Sequence, residues 1–163
     1  MKPTTIEEYG LRCLLFIARQ GDGKSVTIPE ISRKERITPA NVAKIMRLLR
    51  RGGFVASTRG QSGGYTLARP PDRIFVGEVL ALLGGRLFES SFCERHAGVE
   101  KLCAHTVECS IRSLWQMVQI AVDQVLEHVT LVDLLEAKPI FLKTPAPPIG
   151  VQGKSLSSPI ARN

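Results

Sequence analysis

Residues 38–70, TPANVAKIMRLLRRGGFVASTRGQSGGYTLARP, decide the fold. Thr38 is typical of a helix N-cap and Pro39 of the first helical position. Gly52 and Gly53 end this helix. Apolar residues recur within it at helical spacing and predict its buried face: Val42, Ile45, Met46 and Leu49.

A β-hairpin is predicted directly after this helix. Residues 54–58 and 65–67 have the composition of two short strands. Residues 59–64, RGQSGG, contain three glycines, which permit the positive φ angles of a tight tip. Arg59 stands at the edge of that tip.

Two more helices are predicted before this segment. Thr5 and Glu8 have the spacing of a capping box and predict a helix over residues 5–20. Thr27 and Glu30 repeat that spacing and predict a short helix. Only a brief turn separates this short helix from the next one, and two helices joined in this way favour a helix-turn-helix.

The basic residues are concentrated in the same part of the chain. Residues 33–73 hold ten Lys or Arg and two acidic residues, a net charge of +8, whereas the whole chain of 163 residues carries +7. A surface of this kind favours a polyanionic partner. Because the second helix of the helix-turn-helix has a basic outer face, we expect double-stranded DNA to be that partner.

A long helix is predicted from residue 107 onward. One apolar stripe follows heptad spacing and favours pairing with a second long helix, although the core helix of a monomer has the same pattern: Val107, Ile111, Leu114, Val118, Ala121 and Val125. A second stripe could cover the first helix: Trp115, Val122, Leu126 and Val129. Thr130 is the predicted cap of a short last helix over residues 131–137.

The fold class expected is mainly α: a winged helix-turn-helix with a small β-hairpin wing and a long C-terminal dimerisation helix. The expected parts are residues 1–85 for DNA binding, 86–106 as a cysteine-bearing loop, 107–137 for dimerisation, and 138–163 as a disordered tail rich in proline. No apolar run reaches the length that spans a bilayer, so we expect a cytoplasmic protein without a membrane partner.

Three cysteines, Cys93, Cys103 and Cys109, lie between the winged domain and the long helix, with His96 and His105 among them. Thiolates at these positions suit an iron–sulfur cluster or zinc, and the cysteines could also be plain thiols without a metal. Their spacing favours none of these three possibilities. Thr106 could cap the long helix, which would place Cys109 in its first turn, where the helix dipole favours a thiolate. Cys13 lies on an apolar helix face and is expected to be a buried core thiol.

The motifs resemble the Rrf2 family of bacterial winged-helix regulators, which includes the iron–sulfur assembly regulator IscR and the nitric-oxide-sensing repressor NsrR. The similarity is strongest over residues 37–55 and 57–70, which end in Gly-Gly-Tyr-Thr-Leu-Ala-Arg-Pro, and extends over about residues 6–136. The resemblance implies a homodimer that binds partly palindromic operators with a recognition helix in each major groove. Eleven residues are the expected DNA contacts: Thr38, Ala40, Asn41, Ala43, Lys44, Arg47, Arg51, Ser57, Arg59, Gly60 and Tyr65.

The resemblance also implies that Cys93, Cys103 and Cys109 hold an iron–sulfur cluster with two or four irons. The first gap between cysteines is longer than is common in the family, and Arg112 occupies a position where some members carry a histidine ligand. Other members use an acidic residue of the partner subunit near the start of the first helix. The position matches Glu8, so Glu8 is the expected fourth ligand and His105 the next choice. The simpler interpretation of Glu8 is an ion pair with Arg12.

These observations predict a transcriptional regulator, a repressor in our expectation, whose operator affinity depends on a cluster that senses iron, redox state or nitric oxide. The alternatives of the same fold are a repressor that responds by thiol oxidation and one that holds zinc. An adaptor that uses the winged domain without DNA is an alternative of another class. No nucleophile–base set or phosphate-binding loop is evident, so we do not expect an enzyme.

Overall fold

The computed structural model describes residues 4–21, 23–58, 60, 63–86, 88 and 109–136. These residues form a mainly helical fold with one two-stranded hairpin. In chain order the elements are α1 (Thr5–Ala18), α2 (Ile28–Glu35), α3 (Pro39–Arg51), β1 (Val55–Thr58), β2 (Gly64–Leu67), a short 3-10 helix (Pro71–Arg73), α4 (Val76–Gly84), α5 (Ser110–Leu126) and α6 (Leu131–Leu135).

One hydrophobic core contains side chains of helices α1, α2, α3, α4 and α6 and of the hairpin. Its fully buried side chains come from five of these helices and from the segments between them: Leu14, Ile31, Val42, Met46, Leu49, Ile74, Val79 and Leu131. The apolar face predicted for α3 is confirmed, since Val42, Ile45, Met46 and Leu49 are all buried. Burial of this face fixes the opposite face of α3 toward solvent.

The helix starts agree with the sequence patterns, with one correction. The capping boxes at Thr27 and at Thr130 are present, and Thr38 caps α3 as predicted. The prediction that Thr5 and Glu8 form the capping box of α1 is wrong. Its N-cap is Thr4, whose hydroxyl accepts from the amide of Glu7. Thr4 has the extended backbone that an N-cap needs, whereas Thr5 is already helical.

The turn of the helix-turn-helix is built on Arg36. This residue caps α2 with a positive φ of 54°, which is uncommon for a side chain other than glycine. The Ile37 amide donates to the carbonyl of Ser32 at 3.2 Å, and the Ser32 hydroxyl donates to the carbonyl of Ile37 at 2.6 Å. These bonds stabilise the sharp change of direction between α2 and α3.

The hairpin forms an antiparallel wing in which Val55 pairs with Leu67 and Thr58 with Gly64. A third extended segment borders it, since Val26 and Tyr65 exchange two backbone hydrogen bonds of 2.9 and 2.8 Å. A side chain at Gly64 would lie 2.7 Å from the carbonyl oxygen of Val26. Glycine at this position is therefore required for the close approach that attaches the wing to the core.

Helix α5 differs from the rest of the fold because much of its apolar surface is exposed. It begins after Cys109, so the N-cap is this cysteine rather than Thr106, which lies outside the described residues. The expectation that the second apolar stripe covers α1 is wrong for Leu126, which packs against Gly77 of α4, with the Cβ of Leu126 3.2 Å from the position a Gly77 Cβ would take. Six large apolar side chains of α5 are exposed: Ile111, Leu114, Trp115, Met117, Ile120 and Val125.

None of the described helices has the length and hydropathy that a bilayer crossing requires.

Candidate nucleic-acid interface and cysteine site

The outward face of α3 carries the basic residues that the sequence placed there. Successive residues of a helix are rotated by about 100°, so residues 40, 44, 47 and 51 lie opposite the buried residues 42, 45, 46 and 49. Ala40, Lys44, Arg47 and Arg51 are all exposed. Along the helix, the exposed methyl group of Ala40 comes first, and a continuous stripe of three cations comes after it.

Two acidic side chains on the helices that contact α3, Glu35 of α2 and Glu78 of α4, are paired with other arginines. Residues 36–71 contain no Asp or Glu. Glu35 accepts from Arg12 of α1 at 3.0 Å, and Glu78 of α4 accepts from Arg69 at 2.7 Å. Within the described residues, no carboxylate pairs with the cations of the outward face. The face therefore keeps its full positive potential toward solvent.

The remaining predicted contacts on α3 lie at its start and on its flanks. Thr38 is exposed, and its hydroxyl accepts from the Asn41 amide at 3.4 Å. Asn41 is exposed on one flank of the stripe, and Ala43 is partly buried on the other. All three remain candidate contacts.

In the wing, Ser57 and Gly60 are exposed and Gly60 has a φ of 112°. Tyr65 is partly buried and packs against the core, so it supports the wing more than it faces outward. Arg59, the wing arginine of the prediction, lies outside the described residues.

Arg50 was missed as a candidate contact. Its guanidinium donates to the hydroxyl of Ser57 at 3.4 Å, which joins the last turn of α3 to the first strand of the wing. The signal was present in the sequence, since Arg50 lies seven residues after Ala43 and thus on the same side of the helix. Arg69 has a different role, because its guanidinium lies 4.8 Å from the ring centre of Phe54.

Of the predicted cluster ligands, the structure describes Cys109 and Glu8. Cys93 and Cys103, together with His96 and His105, lie outside the described residues. Cys109 is the N-cap of α5, and its sulfur accepts from the amide of Arg112 at 3.4 Å. In the described part of the chain, no three His, Cys, Asp or Glu side chains are grouped as a metal site.

Glu8 is exposed, and its carboxylate has no hydrogen bond or ion pair within the described ranges. The alternative interpretation of Glu8, an ion pair with Arg12, is not found, because Arg12 bonds both the carboxylate and the carbonyl of Glu35 at the end of α2. Arg12 thus joins α1 to α2, and Glu8 is left available on the first turns of α1.

Cys13 is a core thiol, as predicted. Its side chain is completely buried, and burial raises the pKa of Cys13 to about 12, with the Glu35 carboxylate adding to the shift. A thiol with this pKa is protonated and unreactive at neutral pH.

An apolar groove of about 1230 Å³ runs between α4 and the C-terminal half of α5. Its lining residues include Thr4 and Glu7 at the start of α1, and Leu80, Val122 and Leu126. The exposed side chains Ile111, Leu114 and Met117 lie on the other half of the same helix. Helix α5 therefore presents an apolar projection and an apolar recess side by side.

A family model described as an iron-dependent transcriptional regulator, Rrf2, matches residues 4–137. The chain belongs to the Rrf2 family. Protein rrf2 of Nitratidesulfovibrio vulgaris is 34% identical over 140 residues, which are 83% of this chain and 87% of that protein. The match to Rrf2 relatives covers the helix-turn-helix, the wing and α5, so this chain is a transcriptional regulator of that family.

Two solved structures resemble this Rrf2 protein to the same degree. CymR, the global cysteine regulator of B. subtilis, has a TM-score of 0.66 and 28% identity, and covers 85% of this chain and 99% of its own. IscR of T. potens has a TM-score of 0.66 and 25% identity, over 85% of this chain and 89% of its own. These structures support the winged helix-turn-helix fold. They do not choose between the signals that members of the Rrf2 family detect.

Proposed function

We propose that this Rrf2 protein is a homodimeric repressor that binds a DNA operator and whose affinity is controlled by an iron–sulfur cluster. Residues 1–85 bind DNA, residues 86–106 carry cluster ligands, and residues 107–137 pair the two copies. Cys93, Cys103 and Cys109 are the proposed ligands, and the partner subunit's Glu8 completes the set.

The unpaired cationic stripe of α3 carries the DNA-binding part of the proposal. Lys44, Arg47 and Arg51 point away from the core, and the nearby carboxylates of Glu35 and Glu78 are held by other arginines. Phosphate contacts by Lys and Arg release counterions and supply most of the affinity for DNA. The wing lies beside the same surface through the Arg50–Ser57 bond.

The apolar surface of α5 supports a homodimer. Ile111 is 59% exposed and Leu114 51% exposed, and a contiguous apolar surface of this kind marks an interaction site. A two-fold axis across α5 would bring the N-terminal half of one copy against the groove of the other. Such an interface is isologous, so each copy contributes the same projection and the same recess.

The position of Cys109 supports a role as ligand. The amide of Arg112 donates to its sulfur, and the N-terminal end of a 17-residue helix favours negative charge. Cysteine binds metals through its sulfur as the thiolate, so a position that favours negative charge suits a ligand. When bound, an iron–sulfur cluster would supply a link between cysteines that is lost on oxidation, on reaction with nitric oxide or when iron is scarce.

The cysteine-bearing part of the chain is attached to α5 at both ends. At its start, Arg86 pairs with Asp123, and the Phe88 amide donates to the Gln119 side chain at 3.1 Å. After it, Cys109 caps the same helix. Ordering of the cysteine-bearing segment by the cluster would therefore act on α5. The pairing of α5 in turn sets the separation of the two α3 helices.

The test is purification without oxygen, followed by a visible absorption spectrum and analysis of iron, sulfide and zinc. We expect a brown protein with iron and sulfide, and Cys103→Ala should remove the absorbance and change operator affinity. Cys13→Ala is the matched control and should keep both. If the unsubstituted protein is coloured and Cys103→Ala binds the operator with the same affinity, the proposed coupling is contradicted.

DNA binding is tested separately by fluorescence anisotropy on genomic fragments at several salt concentrations. A protein that contacts Z phosphates loses affinity with a log–log slope of about −0.9Z, and we expect a steep slope here. If no fragment is retained at low salt, with or without the cluster, the proposal fails and an adaptor function becomes the better explanation.

A repressor that responds through cysteine thiols without a cluster is the second candidate. The equal similarity to CymR, named a cysteine regulator, favours it. A colourless protein whose operator affinity changes with peroxide, together with a matching mass shift at Cys109, would support this function over the first. About one zinc per chain in a colourless protein would favour a structural metal instead.

A further inference from the structure

We infer that Lys44 reads a guanine in each operator half-site, and that Ala40 and Ala43 face thymine methyl groups beside it. The inference rests on the proposed function, because it requires α3 to enter the major groove. It names the base pattern that this chain's own side chains select.

The geometry of α3 identifies Lys44 as the first hydrogen-bonding side chain of the stripe. The N-terminal residues of a recognition helix approach base edges most closely. Along the outward face from Pro39, Ala40 comes first and Lys44 follows one turn later. Asn41 is rotated by about 90° from the centre of the face, because it lies one residue after Ala40.

The hydrogen-bonding groups on the centre of the face are donors only. Lys44, Arg47 and Arg51 have no acceptor atoms in their charged groups. A donor-only face cannot accept from the amino group of cytosine, and residues 36–71 supply no carboxylate that could. The O6 and N7 atoms of guanine are two adjacent acceptors in the major groove, so guanine is the base that fits best.

The two alanines add an apolar contact before the lysine. Ala40 is exposed and Ala43 is partly exposed on the side of the helix that carries Lys44. A methyl group on a recognition helix can contact only the C5 methyl of thymine favourably in the major groove. A hydrogen-bonding base edge opposite Ala40 would lose its water without gaining a partner.

The later cations of the stripe have a different task. Arg51 is the last residue of α3, three turns from the N-terminus that approaches the bases. It is exposed, and no carboxylate pairs with it in the part of the chain that the structure describes. Its reach fits phosphate oxygens, which position the protein without reading sequence. Lys44 and Arg51 thus provide a matched pair of cations with distinct expected roles.

The experiment starts with selection of operators from a random DNA pool by the full chain, purified without oxygen. We expect each half-site to contain a guanine next to a thymine. Replacing that guanine by 7-deazaguanine, which lacks the N7 acceptor, should lower affinity by roughly 5- to 150-fold. The same replacement at a guanine outside the half-sites is the control and should have no effect.

Two variants then separate base reading from charge. Arg51→Ala should reduce the salt slope by about 0.9, because one phosphate per chain is no longer neutralised, whereas Lys44→Ala removes a base contact and should change the slope less. Only Lys44→Ala should reduce the preference for the guanine. Lys44→Gln should shift that preference toward adenine, because glutamine pairs with the N6 and N7 atoms of adenine.

The inference is overturned if Lys44→Ala loses the same affinity for the selected operator as for scrambled DNA. It is also overturned if the selected half-sites contain no guanine. Both results would leave the proposed function intact, since the protein would still select an operator. Failure of the pool selection itself, with no DNA retained at low salt, would instead refute the proposed function.

Discussion

Helices α3 and α5 are both amphipathic, but the chain uses their apolar faces in opposite ways. In α3 the apolar residues are buried within the same copy and the cations are exposed. In α5 the apolar residues Leu114 and Met117 are 51% and 63% exposed, while the polar Gln119 is buried and bonded to Asp123. The apolar face of α3 is covered within one copy, whereas much of the apolar face of α5 is left exposed.

The difference explains which parts of the molecule one chain can define. The face of α3 is fixed by contacts inside the core, so its outward residues follow from one copy. The partner surface of α5 depends on what covers it, and a homodimer is the occupant that its own groove and projection favour. The following predictions test this contrast, beginning with the largest effect.

Leu114→Asp should separate the proposed dimer and leave the winged domain folded. The added carboxylate lies in the exposed apolar stripe of α5, where pairing would bury it without a partner. A monomer binds one half-site at a time, so operator affinity should fall by roughly 100- to 10,000-fold. Sedimentation equilibrium and anisotropy measure the two effects.

Gln116→Asp is the control for that change. Gln116 is exposed on the same helix but lies about 200° from Leu114, outside the apolar stripe. It should keep both the oligomeric state and the operator affinity. If Leu114→Asp is as dimeric as this control, α5 does not pair the two copies.

Leu49→Ala should instead destabilise each copy. Leu49 is completely buried on the inner face of α3, and removal of such a side chain costs about 2–5 kcal/mol of the free energy of unfolding. Urea denaturation measures it. Leu48→Ala, at a partly buried position one residue earlier, should cost less. Equal losses at both positions would show that the orientation of α3 is wrong.

The orientation of α3 was predictable from the sequence because it depends on local spacing and on one apolar face. Val42, Ile45, Met46 and Leu49 recur at helical intervals, and the two glycines after Arg51 mark the end of the helix. The hairpin followed from its glycine content for the same reason. Patterns confined to a few neighbouring residues are read directly from the chain.

Interactions between distant residues were not predictable in this way. The simpler interpretation of Glu8 paired it with Arg12, four residues away, but Arg12 pairs with Glu35, 23 residues away. A local pattern also failed where two matches compete: the capping box of α1 was ambiguous because Thr4–Glu7 and Thr5–Glu8 have the same spacing. Only the backbone conformation of Thr4 separates the two possibilities.

The cysteine site was predictable only as a set of residue types. Thiolates near a helix start favour soft metals, and Cys109 does lie at such a start. The remaining ligands depend on a segment outside the described residues and, for Glu8, on a second copy. Ligand geometry across two chains leaves no spacing pattern in either one, so Cys93, Cys103, Cys109 and Glu8 stay a prediction.

Gly64→Ala should weaken the attachment of the wing. The added methyl group would lie 2.7 Å from the carbonyl oxygen of Val26, and this backbone atom cannot move without breaking its bond to the Tyr65 amide. Overpacking of this kind costs about 1–3 kcal/mol. Hydrogen exchange of the Tyr65 amide should accelerate.

Ser57→Ala is the control for the wing, because Ser57 lies opposite Tyr65 in the register but is exposed. It should leave exchange of the Tyr65 amide slow. Slow exchange in Gly64→Ala as well would mean that the wing does not need the close approach to Val26.

Thr27→Ala should give the smallest effect, which depends on pH. The Thr27 amide donates to the Glu30 carboxylate at 2.7 Å and the hydroxyl at 2.8 Å, and these bonds lower the pKa of Glu30 below its ordinary value. A carboxyl whose pKa is lowered on folding stabilises the protein above its unfolded pKa, and this stability is lost as the pH falls through the folded pKa. The variant keeps the amide bond, so the pKa of Glu30 should rise only part of the way toward its ordinary value, as measured by NMR titration.

Thr38→Ala separates this effect from the loss of a cap. Thr38 also caps a helix, but the residue three positions later is Asn41, which does not titrate. The destabilisation by Thr38→Ala should therefore be the same at neutral pH and in acid, whereas that by Thr27→Ala should shrink as the pH falls through the range in which Glu30 becomes protonated. If both variants lose the same stability at every pH, the hydroxyl of Thr27 acts only as a backbone cap, and its bond to the carboxylate contributes nothing to folding.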